Sequence, residues 1–159
     1  MSNWIDTLTL DEDEYITTYK SVFFNKEIVI RFSETNSSVG ENQKRLVDYI
    51  IKNEKDIMDM SMLSIIAYYN EYYPNYKEGW ESGGADDAMI EKYLPKEINR
   101  QKLLKLIDPA ELYINPEEKI ETGVFGFALD CEWDVEHGLG ISYENWKVKE
   151  VGGMDIAFL

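Results

Sequence analysis

From Glu41 onward the apolar residues recur with the period of a helix. At 100° per residue, Val47, Ile51, Met58, Met62, Ile65, Ile66, Tyr69 and Tyr73 fall in one stripe, about 100° wide, as a core-facing helix requires. One helix across 41–73 would be long beside the ~10–14 residues typical of globular proteins. A break near Asn53-Glu54 into two helices therefore stands beside the single-helix reading. Pro74 predicts the end of this stretch, and Gly79–Gly84 reads as a loop. Asp86 or Asp87 can cap a short helix through Tyr93, ended before Pro95. A further helix is expected from Glu97 to Ile107, with Ile98, Leu103, Leu104 and Ile107 apolar and Pro109 following.

On either side of this region the period is two. Ser21–Phe24 and Glu27–Phe32 predict a hairpin that turns at Asn25-Lys26, with Ile28, Ile30 and Phe32 on one face. The polar run 33–40 reads as a loop. Glu111–Ile114 predicts a short strand. Residues 123–133 alternate most clearly: Phe125, Phe127, Leu129, Cys131 and Trp133 point one way, and Val124, Gly126, Ala128, Asp130 and Glu132 the other. Gly138–Tyr143 and Trp146–Val151 flank Glu144-Asn145, a second two-residue hairpin turn. Strands, then helices, then strands predict the α+β class: an antiparallel β-sheet with a central helical segment packed on one face, in a single domain over 1–159.

Composition changes this picture in one respect. The 159 residues are 44% hydrophobic and 30% charged, as in ordinary globular proteins, which excludes collagen-like, wholly disordered and disulfide-scaffold classes. The net charge of −15 is unusual, and it is concentrated at the ends. Residues 1–14 carry five acids and no base, and residues 109–159 carry eleven acids and three bases. Such a surface repels phosphate backbones and anionic lipid, so neither nucleic acid nor membrane is the expected partner. No apolar run approaches the ~18 residues of a membrane span. The N-terminus lacks a signal-peptide pattern, Ser2 stands where myristoylation needs glycine, and the end carries no prenylation cysteine. A cytoplasmic protein is the expectation.

Candidate chemistry is sparse. Cys131 is the one cysteine and His137 the one histidine, so no disulfide and no multi-cysteine zinc site can form within the chain. The alternation places Cys131 on the core face, where a thiol behaves as a small hydrophobe. No Walker A, G-x-S-x-G or G-x-G-x-x-G motif occurs. Asp11-Glu12-Asp13-Glu14 starts like a calcium loop, but Ile16 and Val22 occupy the glycine and glutamate positions; an acidic turn or helix start fits better. Asp130, Glu132 and Asp134, at i, i+2 and i+4 of one expected strand, form a row of carboxylates with His137 just beyond. That row would suit a divalent cation given ligands from a second element, and otherwise it is a solvated sheet face. Tyr68, Tyr69, Tyr72, Tyr73, Tyr76 and Trp80 gather six aromatics at helical spacing. Tyr69 and Tyr73 lie on the core stripe, whereas Tyr68, off the stripe, and Trp80, in the expected loop, are candidate contact residues.

The run from Asp130 to Ile141 (DCEWDVEHGLGI), followed by Val151-Gly152-Gly153, resembles the ending of a small uncharacterised bacterial family. That family is a domain of unknown function with a W-D-x-E-H-G-x-G signature, and some of its members resemble toxin-immunity proteins. The resemblance covers about the last fifth of the chain and brings no catalytic residue with it. In the physical reading of the same motif, Gly138 and Gly140 release the chain from a turn, Trp133 anchors the sheet and His137 is structural.

The expectation is thus a non-enzymatic acidic binding protein of the immunity type, neutralising a basic toxin. Asp130, Glu132, Asp134, Tyr68 and Trp80 form its binding surface, with no catalytic residue, no metal and no cofactor. The alternatives are a metal-dependent ligand binder or enzyme using Asp130, Glu132, Asp134 and His137, and a housekeeping protein whose acidity serves solubility.

Overall fold

The structure is a computed structural model that describes residues 3–33 and 38–158. Residues 34–37, half of the loop expected over 33–40, lie outside the described residues. Seven strands and four helices follow one another as β1 (Thr9–Asp11), β2 (Glu14–Ser21), β3 (Lys26–Phe32), α1 (Glu41–Lys52), α2 (Glu54–Ser82), α3 (Asp87–Tyr93), α4 (Arg100–Leu106), β4 (Ile107–Ile114), β5 (Phe125–Cys131), β6 (Leu139–Glu144) and β7 (Lys147–Gly152). One sheet gathers all seven strands in chain order. The four strands of 107–152 are antiparallel, as expected. The sheet as a whole is mixed, because β3 and β4 run parallel. Two parallel neighbours need a long crossover, and the four helices supply it.

Register explains the core. Thr17, Ile30, Leu112, Phe127, Ile141 and Val151 are successive partners across six strands. Ile30, Leu112, Phe127 and Ile141 have no exposed surface, and each such side chain contributes roughly 1.5–3 kcal/mol by leaving water. Two contacts of α2 reach β6 and the turn after β5. Ser61 of α2 hydrogen-bonds the Tyr143 hydroxyl, and the Tyr69 ring stands edge-on to Trp133 with centroids 5.0 Å apart. The expected core residues Phe125, Phe127, Leu129, Cys131 and Trp133 are all buried.

The helix expected over 41–73 breaks at Asn53, as the two-helix reading required. Glu54 fixes the break. It is buried, and its two carboxylate oxygens accept hydrogen bonds from the Tyr19 hydroxyl (2.8 Å) and the Phe23 N–H (2.9 Å). This tie also corrects the first hairpin. Val22–Phe24 form a turn instead of a strand end, with Phe24 N–H donating to Ser21 Oγ, and the strand before the turn is Glu14–Ser21. The second hairpin turns one residue later than expected, at Asn145-Trp146, both with positive φ (53° and 65°). That is the backbone a right-twisted two-residue hairpin demands.

Pro74 does not end α2, and Gly79–Ser82 are helical. Proline removes one N–H and costs a helix interior ~3 kcal/mol, so the continuation needs compensating contacts. Trp80 provides one by donating its indole N–H to the Trp133 carbonyl at 2.9 Å. Its ring also lies 6.1 Å from that of Tyr93 in α3. α3 is capped by Asp86, as expected. α4 starts three residues later than the apolar pattern suggested, because the Asn99 side chain accepts the Lys102 N–H and fixes the start there. β4 then begins directly at Ile107 and carries Pro109 beside a bulge, a position where a strand tolerates proline.

The second set of side chains along the same strands is different. Ile16, Arg31, Tyr113, Gly126, Ser142 and Glu150 are successive partners on the opposite face. Over β5 and β6 this face is a floor of small residues, and the chain after β7 lies on it. A methyl group at Gly126 would overlap the Ala157 carbonyl, and one at Gly140 would overlap the Gly153 carbonyl. The 3₁₀ turn Met154–Ala157 can approach that closely only because these positions have no side chain.

Candidate functional site

The strand that was to present three carboxylates ends at Cys131. Asp130 is exposed near its end and stands in register opposite Asp108 of β4. Asp108 is ion-paired with Lys26, and Asp130 has no ion pair among the described residues. Glu132 is exposed in the turn that follows, its N–H donating to the Leu106 carbonyl. Asp134 does not continue the row. Its carboxylate turns back on its own loop, accepting the His137 N–H at 3.2 Å and lying 3.0 Å from His137 Nδ1. The hydrogen bond to Asp134, followed by that group's charge, holds the exposed imidazole above its ordinary pKa. Among the described residues, no group of three or more histidine, cysteine and carboxylate side chains is arranged to hold a metal ion. Cys131 is buried, and burial pushes its thiol up to about 12. It is therefore a neutral thiol at physiological pH, its sulfur 3.6 Å from the Asp134 carbonyl.

Tyr68 and Trp80 come to the same end of the sheet. Tyr68 is half-buried, with its hydroxyl 3.0 Å from that of Tyr76 and its ring 4.7 Å from that of Tyr72. Burial raises the Tyr68 and Tyr76 pKa values, and the Asp134 charge adds to both. Trp80, expected in a loop, is the half-buried clasp of α2 on the β5–β6 turn. Two separate sequence candidates, the acidic run and the aromatic run, thus meet around Trp133–His137.

A second site went unread in the sequence. On the sheet face of Arg31, Gly126 and Asp130, the residues Glu14, Arg31, Ser33, Glu111, Tyr113, Asn115 and Phe158 line an open cleft of about 400 Å³. Arg31 Nε and Nη2 bind the two Glu111 oxygens at 3.2 and 3.0 Å. Its Nη1 lies 3.6 Å from Glu14 and 3.7 Å from Asp11, beyond hydrogen-bond reach. Burial works to raise the Glu111 pKa, but hydrogen bonding with Arg31 and Tyr113 outweighs it and leaves the carboxyl below its ordinary value. Tyr113 is raised, first by burial and then by Glu111, and its ring meets that of Phe158 edge-on at 4.4 Å. The alternation of β3 does put Arg31 opposite Ile30. Its pairing with Glu111, eighty residues on, depends on the parallel β3–β4 contact, which leaves no local trace.

From Trp4 through the segment laid over Gly126, the sequence matches a family described as a domain of unknown function, DUF6985, over residues 4–159. The chain belongs to that family. The DUF6985 match takes in both the N-terminal strands that carry Arg31 and the acidic C-terminal run. No curated protein and no solved structure matches the chain. Among its described residues, no helix is long and apolar enough to cross a membrane.

Proposed function

We propose that this DUF6985 protein is a non-enzymatic acidic binding protein that engages a basic protein, in the manner of a bacterial immunity protein neutralising a toxin in the cytoplasm. The observation that carries the reading is the pair Asp108 and Asp130, two carboxylates set directly opposite each other on neighbouring strands. Like charges in that position destabilise a sheet, and Lys26 offsets only one of them. The surroundings add to the imbalance. Residues 120–146 contain six acids and neither lysine nor arginine, and Glu132 and Glu136 are exposed in the turns that follow β5. A basic partner relieves this repulsion on docking.

In this reading the helical segment packs on one face of the sheet and the partner approaches the Asp130–Glu132 end. Tyr68 and Trp80 flank the contact, and Asp134 holds the turn that presents it. Complementary charge accelerates encounter and excludes wrong partners more than it deepens affinity. The same sign of charge disfavours nucleic acid and anionic membrane.

The test takes whichever basic protein is found encoded beside this gene and measures its on- and off-rates by surface plasmon resonance at low and physiological salt. The association rate is expected to fall with salt and to drop roughly ten-fold or more when Asp130, Glu132 and Glu136 are all changed to lysine, within the span of electrostatic steering. A triple variant that associates as fast as the parent at low salt would defeat the proposal.

A further inference from the structure

The cleft around Arg31 has a charge balance that selects its ligand. Arg31 and Glu111 form a bidentate pair and cancel each other. Glu14 and Asp11 remain, each ion-paired to Arg31 Nη1 only at 3.6–3.7 Å. Their side chains are 36% and 56% exposed, so their oxygens are accessible from solvent while the guanidinium is turned toward Glu111. An anion entering here would meet the Glu14 carboxylate on the cleft wall, with Asp11 near the same guanidinium, each paired with Arg31 only at long range. A cation would meet the same carboxylates with acceptor capacity to spare, together with the rings of Tyr113 and Phe158. Aromatic faces attract lysine and arginine, and a space of about 400 Å³ accommodates one such side chain. The cleft lies on the same sheet face as Asp130: Glu111 pairs in register with Ala128, two residues before Asp130 on β5.

We infer that the cleft lined by Glu14, Arg31, Glu111, Tyr113 and Phe158 receives a lysine or arginine side chain of the basic partner, Glu14 binding its charge and the two rings its aliphatic stem. This inference rests on the reading of the chain as a binder of a basic protein, and it adds the contact that fixes orientation after the Asp130–Glu132 end has steered the encounter. Arg31 is the positioning residue, since it holds Glu111 and leaves Glu14 available.

The probe is Nα-acetyl-arginine amide, with Nα-acetyl-citrulline amide as its neutral isostere, titrated into ¹⁵N-labelled full-length protein. Saturable amide shifts are expected at Glu14, Arg31, Glu111 and Tyr113 with the arginine probe and not with citrulline. Glu14→Gln is expected to weaken the arginine probe about two- to five-fold, the range of an exposed ion pair. Tyr113→Leu, which keeps an apolar wall without the ring face, is expected to weaken it by a similar factor. Equal shifts from citrulline, shifts confined to other residues, or an arginine response unchanged by both variants would overturn the inference. The two proposals fail separately. If the basic neighbour binds the parent and the Glu14→Gln and Tyr113→Leu proteins with equal off-rates, the cleft is wrong and the binding function stands. If the arginine probe behaves as expected but no basic neighbour binds, the cleft stands and the partner is misassigned.

Discussion

The two faces of the sheet are built from the same strands in the same registers, yet they solve opposite problems. Along Ile30, Leu112, Phe127 and Ile141 every position is a large apolar side chain sealed from water. One residue along each strand, the row Arg31, Tyr113, Gly126 and Ser142 mixes a cation, a phenol and two small residues. The first row obtains stability from bulk, and the second uses the absence of bulk. Its small residues admit the C-terminal segment over β5 and β6, and its charged residues stay in contact with water over β2–β4. Alternation at period two thus assigns packing to one face and leaves the other for contact with something else.

Raising the pH should attack the packed side first and hardest. Tyr19, Tyr69 and Tyr143 are all buried, and burial is the leading cause that raises each of their pKa values. Cys131 is pushed up to about 12 for the same reason. For each group the folded pKa exceeds the unfolded one, so its stabilisation is complete below the unfolded pKa and is lost as pH climbs toward the folded value. All four shifts run the same way, so stability should fall steeply above pH 10. Urea denaturation between pH 8 and 11 reads this directly, and a flat profile would mean that the face is wet.

Phe127→Ala tests the same face at a single residue. A loss of ~3–5 kcal/mol is expected in equilibrium denaturation, and a value below about 1 kcal/mol would place the ring outside the core. On the opposite face the expected damage comes from adding atoms. Gly126→Ala should cost about 1–3 kcal/mol as the Ala157 carbonyl is displaced, and a truncation after Gly152 should abolish that cost in a double-mutant cycle. Asp130→Asn should be neutral or gain roughly 0.2–1 kcal/mol by relieving Asp108; a clear loss would show that the acid is structural.

The smallest effect belongs to His137. An NMR titration should place its midpoint above 6.5, and Asp134→Asn should bring it down. Because the folded pKa is raised, any stability this contact contributes is present below 6.5 and disappears as pH rises through the folded midpoint. A midpoint unchanged by Asp134→Asn would mean that the turn is not held by this contact.

What the sequence made legible was governed by near neighbours. The period of two in 125–133 identified the buried face correctly, and the helical stripe left one helix or two open, with any break near Asn53, where the structure divides α1 from α2. The failures share a cause in distant partners. Val22–Phe24 look like a strand end until Glu54 takes the Phe23 N–H. Pro74 looks like a stop until Trp80 finds the Trp133 carbonyl. Asp134 looks like one of a row of carboxylates, and the turn that redirects it depends on where β5 stops. At Asn145-Trp146 the misreading has a local origin: a tryptophan occupies a left-handed position that usually takes glycine or asparagine, and its ring lies 3.9 Å from that of Tyr49. For the proposed binding surface, Asp130 was legible, but Asp108 opposite it and Arg31 beside Glu111 were not, since both juxtapositions are products of register.

The lone parallel contact between β3 and β4 also divides the molecule in time. β1–β3 and β4–β7 are each meanders whose partners are close in sequence, and hairpins of that kind form in microseconds. The seam joins Val29 to Glu111, about eighty residues apart, and can close only after the intervening chain has collapsed into its helices, because loop-closure entropy must be met before the long-range contacts return it. Folding should therefore show two early, separable structured halves and one late event. The late event also brings Arg31 to Glu111, so the cleft on that face comes into being only when the two halves meet.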